Sequence, residues 1–566
     1  MKKSYLRYIV GTIFISLAII VQIATIWAAV EFGTIDFASI IFHLNVPLDG
    51  TNMSPFISLI IFCVIGVATL GSLSLFIALK GRNQTHLTIT IKDLNITFKP
   101  KKDKDLEASA ATIDSTESTN NTEKTESLEN VETLEAEKTN KSRVDIKPSK
   151  KCFKFPIKFW NRFYVSISCV IFVLLFAINA HALALDTYII NQFKTSTLIE
   201  DEYVDPQNIE LKFPEQKRNL IYILLESMEV SFSSPHYGGT FNEQLIPKLT
   251  ELQLNNIGFT DNKNMLNGAY SPTGTTWSIA GLVAQTSGIP FLLPIGQNKL
   301  GKHSSFLPGA YSLGQVLEKE GYNQLFMLGS SAEFSGISDY LTQHGGYDIY
   351  DYNSAIEVGD IPEDYYVFWG MEDAKLYDFA KRELTELAGK DEPFSCTLFT
   401  IDTHFTDGYF CDNCSNKFGS DQYDNVIDCA DRMLSSFLNW IEQQPFYENT
   451  TIVIAGDHPT MNNSYVKDHI DEIEHSSEYE RKVYTTIINS AIEYTIPGTR
   501  QFATFDMYPT TLAAMGVEIP GNKLGLGTNL FSEEQTLIER FGIKYVNDEF
   551  SKVSDFYKDK ILYGNK

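Results

Sequence analysis

After residue 217 of this 566-residue chain, four apolar runs each end in side chains able to do chemistry. "NLIYILLES" closes on Glu226 and Ser227, and "NQLFMLGSS" on Ser330 and Ser331. "FSCTLFTIDTH" closes on Asp402 and His404, and "TTIVIAGDH" on Asp457 and His458. Open parallel sheets bind their ligands at the carboxyl ends of the strands, so four such runs predict one shared site. Taken singly, Asp457–His458 reads as a strand-end turn, Glu226 as a surface turn and His404 as a structural histidine. Together Glu226, Asp457 and His458 supply two carboxylates and an imidazole, a hard-to-borderline donor set suited to manganese, magnesium or zinc.

A second feature is the stretch "LNGAYSPTGTTWSIAGLVAQTSG", Leu266 to Gly288, which carries seven Ser and Thr hydroxyls. Its first half is loop punctuated by Gly and Pro, and "TWSIAGLVAQ" continues with helical periodicity. A hydroxyl at a helix N-terminus sits where free N–H groups and the dipole favour an alkoxide and an incoming phosphate. A neighbouring cation would activate it as a nucleophile. Ordinary N-capping by Ser or Thr explains the same residues, and local spacing does not separate the two readings.

Short β-rich runs alternating with amphipathic helical stretches over residues 218–542 predict an α/β domain with a central, mostly parallel sheet. Ahead of it, 8–30, 56–79 and 163–185 are each apolar for about the 20 residues that a bilayer helix needs. The first is too long for a signal-peptide core and lacks a convincing cleavage site, so it reads as an anchor. Lys and Arg are absent from 31–55 but flank the loop between the second and third spans. The N-terminus and that loop are therefore expected on the cytoplasmic side, and everything after about Asp186 outside. Within residues 1–187, the segment 101–143 is rich in Ser, Thr, Glu, Asn and Lys without one aromatic residue, and reads as a disordered loop. Residues 188–217 read as a linker and 543–566 as a C-terminal tail. A formal net charge of −25 argues against a nucleic-acid partner.

These residues resemble a known family. "IYILLES", "GTTWSIAGLVAQTSGIPFLLP", "FMLGSSAEFSGISDYLTQHGGYD", "WGMEDAKLYDFA", "TIDTHF" and "IVIAGDHPTMNN", in order over roughly Leu220 to Leu530, are similar to the membrane-anchored phosphoglycerol transferases and lipoteichoic acid synthases. That family belongs to the alkaline phosphatase–sulfatase superfamily, and the likeness is greater to its glucan-modifying branch. "IIFHLNVPLDGT" (residues 40–51) also resembles the family. The resemblance implies a multi-pass enzyme of the cell membrane with an extracytoplasmic sulfatase-like domain behind its transmembrane helices. It implies Glu226, Thr275, Asp457 and His458 as ligands of one divalent ion, Mn2+ first, with Mg2+ or Zn2+ as alternatives. Thr275 is then also the nucleophile, and His404 holds the substrate phosphate and head group. The implied reaction moves glycerol phosphate from phosphatidylglycerol to a glycan or glycolipid through a covalent phospho-threonine. "SSAEFSG" lies where the family contacts substrate but lacks the synthase Trp and Arg. It leaves Glu333 and Phe334 as weak substrate-binding candidates and argues against lipoteichoic acid polymerisation.

A phosphoethanolamine transferase is the alternative, since it too uses a Thr and a lipid donor. A sulfatase or phosphodiesterase-type hydrolase fits less well, because "SPTGTTW" lacks the sulfatase C/S-x-P-x-R signature. The intact candidate set argues against a non-catalytic binding protein. Four of the seven Cys follow the third span: Cys396, Cys411, Cys414 and Cys429. "CDNC" has the spacing of half a zinc knuckle, but a single C-x-x-C in an oxidising compartment favours a disulfide among Cys411, Cys414 and Cys429, with the pairing open.

Overall fold

The computed structural model describes residues 2–32, 54–80, 84–90, 95–100, 152–155, 157–292, 306–405, 407–470 and 479–565. The expected disordered loop at 101–143 and the stretch 40–51 lie outside them. The chain forms two compact units, Met1–Gln22 with Phe62–Phe176, and Ile23–Ile61 with Ala177–Lys566.

Three helices are long and apolar enough to cross a membrane, with spans at Leu6–Val30, Ile57–Lys80 and Tyr164–Ala182. In the first unit Asn161 Nδ2 donates to the Tyr8 hydroxyl at 2.6 Å and to the Ala78 carbonyl at 2.5 Å. One buried amide thus ties the short helix Ile157–Arg162 to the first two apolar helices, as polar groups do where water is scarce. The same unit contains an antiparallel sheet of Gln84–Thr90 with Asn95–Pro100 and Cys152–Phe155. The sequence reading assigned no strands there, because the charged and polar flanks masked short alternating segments such as "HLTIT".

The second unit is built on a seven-stranded sheet. Its strands are β1 (Asn219–Leu225), β2 (Gly268–Ala269), β3 (Asn323–Leu328), β4 (Asp348–Tyr350), β5 (Phe394–Phe399), β6 (Thr450–Gly456) and β7 (Val483–Ile488), in spatial order β2-β7-β6-β1-β5-β3-β4. Pairings from β6 through β4 are parallel, whereas β7 runs antiparallel to β6 and to β2. The four runs singled out from sequence are β6, β1, β5 and β3, which are neighbours in the sheet. Their carboxyl ends therefore open on one edge.

β1 shows why these runs are continuously apolar. Leu220, Tyr222 and Leu224 enter one buried cluster, while Ile221, Ile223 and Leu225 enter another. A sheet covered on both faces needs apolar residues at every position. Helix α1 (Ser278–Ser287) and helix α3 (Met507–Ala514) supply the first cluster, and helix α2 (Gln422–Ile441) supplies the second. The region read as a linker contributes buried Leu198 and Ile199 to the first cluster. The region read as a tail contributes Val546, Phe550, Ile561 and Leu562. Ile543–Phe550 is an amphipathic helix whose apolar stripe the sheet domain buries, at about 1.5–3 kcal/mol for each large side chain.

Candidate active site

Glu226 follows directly on β1, and Asp457 and His458 follow directly on β6, the adjacent parallel strand. Register alone brings them together, since Leu225 pairs with Gly456. The Asp457 N–H donates to the Leu225 carbonyl at 3.2 Å, extending the ladder by one residue into the site. Past β1 the chain turns sharply at Ser227, whose φ is +54°. The Ser227 N–H donates to Asp457 Oδ1 at 2.8 Å, and its hydroxyl donates to Glu226 Oε1 at 2.7 Å. The Glu226 N–H reaches Thr400 Oγ1 at 3.0 Å, and the Thr403 hydroxyl donates to the Glu226 carbonyl.

One donor atom from each of Glu226, Asp457 and His458 lies within 4.8 Å of the others, and all three side chains are buried. His458 Nδ1 lies 2.9 Å from the Pro459 carbonyl. A carbonyl only accepts, so Nδ1 carries the proton and Nε2 keeps its lone pair. Nε2 stands 3.3 Å from Asp457 Oδ2 and 3.5 Å from Glu226 Oε1. Asp457 Oδ2 is buried without a hydrogen-bond partner among the described residues. A buried carboxylate oxygen without a donor is costly unless a cation completes it. The donor set and this orphaned oxygen fit a divalent ion.

The electrostatics agree. Burial raises the Glu226 carboxyl, but the nearby His458 and His404 outweigh it and hold the group below its ordinary value. Burial pushes Asp457 well above the carboxylate range, and the Glu226 charge adds to the shift. Two carboxylates forced this close share a proton, which a divalent cation would displace.

The hydroxyl-rich stretch supplies the facing wall. Gly274 has φ +83°, and a Cβ there would come within 2.6 Å of the Leu292 side chain. Glycine is thus required where the loop turns before Thr275. Thr275 is buried, and its hydroxyl donates to the Pro272 carbonyl at 2.9 Å. Helix α1 begins three residues later with Ser278, whose Oγ lies 3.3 Å from Glu226 Oε2 and 3.4 Å from His458 Nε2. Ser278 thus touches the carboxylate–imidazole group directly, a contact that its place on the first helical turn could have suggested. The helix sits close because residue 281 is glycine: a Cβ there would lie 2.4 Å from the Asp457 carbonyl oxygen.

His404 is positioned from the other side. Its Nδ1 lies 2.6 Å from the Phe405 carbonyl, which leaves Nε2 free for a ligand. Trp369 packs on its ring at 4.9 Å and Phe368 at 6.3 Å. Phe334 touches Trp369 at 5.5 Å and so joins this aromatic wall, while the Glu333 side chain is exposed. Sequence reading gave no site role to Phe368 or to Trp369, the first residue of "WGMEDAKLYDFA", because only the fold carries that loop to His404. Beneath the loop, Asp373 accepts the N–H groups of Ile401 and Asp402 at 2.8 and 3.1 Å, fixing the turn that delivers His404. Cys411, Cys414 and Cys429 come together in the segment beyond His404, with no bond between their sulfurs.

The site is thus a two-sided α/β sheet with carboxylates and an imidazole at its strand ends, facing a hydroxyl-bearing helix start. A family model described as Sulfatase matches residues 218–517, and the chain belongs to that family. Among curated relatives, phosphoglycerol transferase I of Escherichia fergusonii is 32% identical over 259 residues, covering 44% of this chain and 32% of the relative. Its counterpart from Escherichia coli O157:H7 is 30% identical over 260 residues with the same coverage. The chain thus spans about a third of the length of the curated relatives it matches. Among solved structures, the lipoteichoic acid synthase LtaP from Listeria monocytogenes aligns over 60% of this chain and 82% of its own, at 18% identity and TM-score 0.43. An alkaline phosphatase superfamily protein from Vibrio parahaemolyticus aligns over 59% and 74%, at 21% identity and TM-score 0.42.

Proposed function

We propose that this chain is a membrane-anchored transferase that moves glycerol phosphate from phosphatidylglycerol to an extracytoplasmic glycan or glycolipid. The observation that carries the reading is the buried Glu226–Asp457–His458 group with its unpartnered Asp457 oxygen, faced by the start of helix α1. Likeness to relatives named phosphoglycerol transferase I supports the choice of transferred group. The three apolar helices support an enzyme that meets its donor in the bilayer. On this reading residues 218–542 are the catalytic domain, and they lie outside the cell membrane.

Glu226, Asp457, His458 and the Thr275 hydroxyl would hold one divalent ion, manganese before magnesium or zinc. Such an ion supplies positive charge that lowers a hydroxyl's pKa and neutralises phosphoryl oxygens. Thr275 Oγ1 leaves the Pro272 carbonyl and attacks the donor phosphorus. The bond from phosphorus to Oγ1 forms, the bond to the diacylglycerol oxygen breaks, and the hydroxyl proton ends on diacylglycerol. An acceptor hydroxyl then attacks the same phosphorus, the bond to Oγ1 breaks, and the acceptor's proton returns to Thr275. His404 Nε2 contacts the phosphate or head group, with Trp369 and Phe334 walling that side. Ser278 donates to Glu226 and keeps the carboxylate oriented. A cleft of about 190 Å³ lined by Gly274, Trp277, Leu292, Tyr188 and Phe550 lies beside the Thr275 loop and suits the first carbons of an acyl chain.

The test is incubation of membranes holding the full chain with head-group-labelled phosphatidylglycerol or phosphatidylethanolamine, followed by identification of the labelled product. Label from phosphatidylglycerol is expected to appear on a glycan or glycolipid and to vanish with Thr275→Ala. Transfer from phosphatidylethanolamine alone, or full activity of Thr275→Ala, overturns the reading.

A further inference from the structure

Cys411, Cys414 and Cys429 form a second cluster with its own chemistry. The Cys411 sulfur lies 3.6 Å from that of Cys414 and 4.0 Å from that of Cys429, and all three lie within 4.8 Å of one another. Thiolates on a tetrahedral zinc, with bonds of about 2.3 Å, stand about 3.8 Å apart. The Cys411–Cys414 and Cys411–Cys429 separations bracket that value. A single disulfide would use two of the three sulfurs and leave the third outside the bond.

The backbone supports the same arrangement. The Cys414 N–H closes the turn onto the Cys411 carbonyl at 3.0 Å. Arg432, one turn beyond Cys429 on α2, donates to the Asn413 carbonyl at 3.4 Å and to Asp428 at 2.9 Å. It places a fixed positive charge beside three sulfurs that carry one excess negative charge when they hold a divalent ion.

We propose that Cys411, Cys414 and Cys429 form a thiolate site for one thiophilic cation, with zinc as its natural occupant, distinct from the carboxylate–imidazole group. On binding, each thiol gives its proton to solvent, three S–Zn bonds form without any change of oxidation state, and water fills the fourth position. The cation staples the segment after His404 onto α2. Tyr409, two residues before Cys411, donates its N–H to the Asp402 carbonyl at 2.7 Å and stacks on Phe368 at 6.2 Å. The staple therefore holds the aromatic wall beside His404.

The test uses the full chain, purified in detergent without reductant or chelator. Metal analysis of the Glu226→Gln and Asp457→Asn variants is expected to find one zinc per chain, released by a mercurial that titrates thiols. Exchange with Co2+ is expected to give an intense near-ultraviolet sulfur-to-cobalt band, lost in Cys429→Ser and shifted but retained in Cys414→His. The wild-type band does not depend on any variant folding. A Cys411–Cys414 or Cys411–Cys429 disulfide found by mass spectrometry of the unreduced protein overturns the proposal. So does complete alkylation of all three thiols in a folded protein free of zinc.

Discussion

The two clusters able to hold a cation among the described residues are built in opposite ways. Glu226, Asp457 and His458 hang from the ends of two hydrogen-bonded strands, so their spacing is inherited from sheet register. Cys411, Cys414 and Cys429 join a loop to a helix, and their spacing depends on a tight turn at Cys411–Cys414 and on side-chain bonds such as Arg432 to the Asn413 carbonyl. A site fixed by the fold can present unsatisfied donors to a substrate without collapsing. A site made of loop and helix borrows order from whatever it binds. The first arrangement suits chemistry and the second suits bracing.

The sharpest way to break this contrast is to damage each cluster and read activity and stability together. Asp457→Asn is expected to lower transfer by at least about 1,000-fold while the melting temperature changes little, because the strands keep their register. Cys429→Ser is expected to do the reverse, lowering the melting temperature by several degrees with transfer per folded molecule reduced far less. Equal losses of activity in both variants would erase the distinction. Ser278→Ala should fall between them, lowering transfer or metal affinity about 10–100-fold through the loss of its hydrogen bond to Glu226, measured by metal titration beside turnover.

The smallest effect concerns pH. Burial pushes Asp506 up to about 7, although the N–H groups of Ala503 and Thr528 favour its charge. The folded chain then keeps a proton that the unfolded chain releases near 4. Stability from this residue is full at low pH and falls as pH rises toward 7, by up to about 1.4 kcal/mol per unit. Asp506→Asn is expected to flatten that slope in denaturant titrations at several pH values. Asp431, also pushed up to about 7 by burial, retains its own share.

What could be read from the sequence follows from how each site is built. Continuous apolar runs announce strands buried on both faces, and polar residues at their ends announce a shared edge, so β1, β3, β5 and β6 were visible with Glu226, Asp457 and His458. Contacts that depend on the path between strands were not visible. Trp369 and Phe368 reach His404 through a loop whose course no local pattern encodes. Cys429 was grouped with "CDNC" from the sequence, but as a disulfide candidate, and the packing of α2 brings its sulfur to the other two without an S–S bond. The helix at Ile543–Phe550 was read as tail because its apolar stripe is short and its burial depends on the whole domain.

Gly281 sets a limit on how far this scaffold can be altered. Its bare Cα lets helix α1 rest against the backbone carbonyl of Asp457, so the hydroxyl-bearing helix start and the carboxylates are brought close by a missing methyl group. That absence acts as a gauge block. Reshaping the acceptor side around Trp369 leaves it untouched, whereas any side chain at position 281 would lift the helix and with it the reach of every hydroxyl at its mouth.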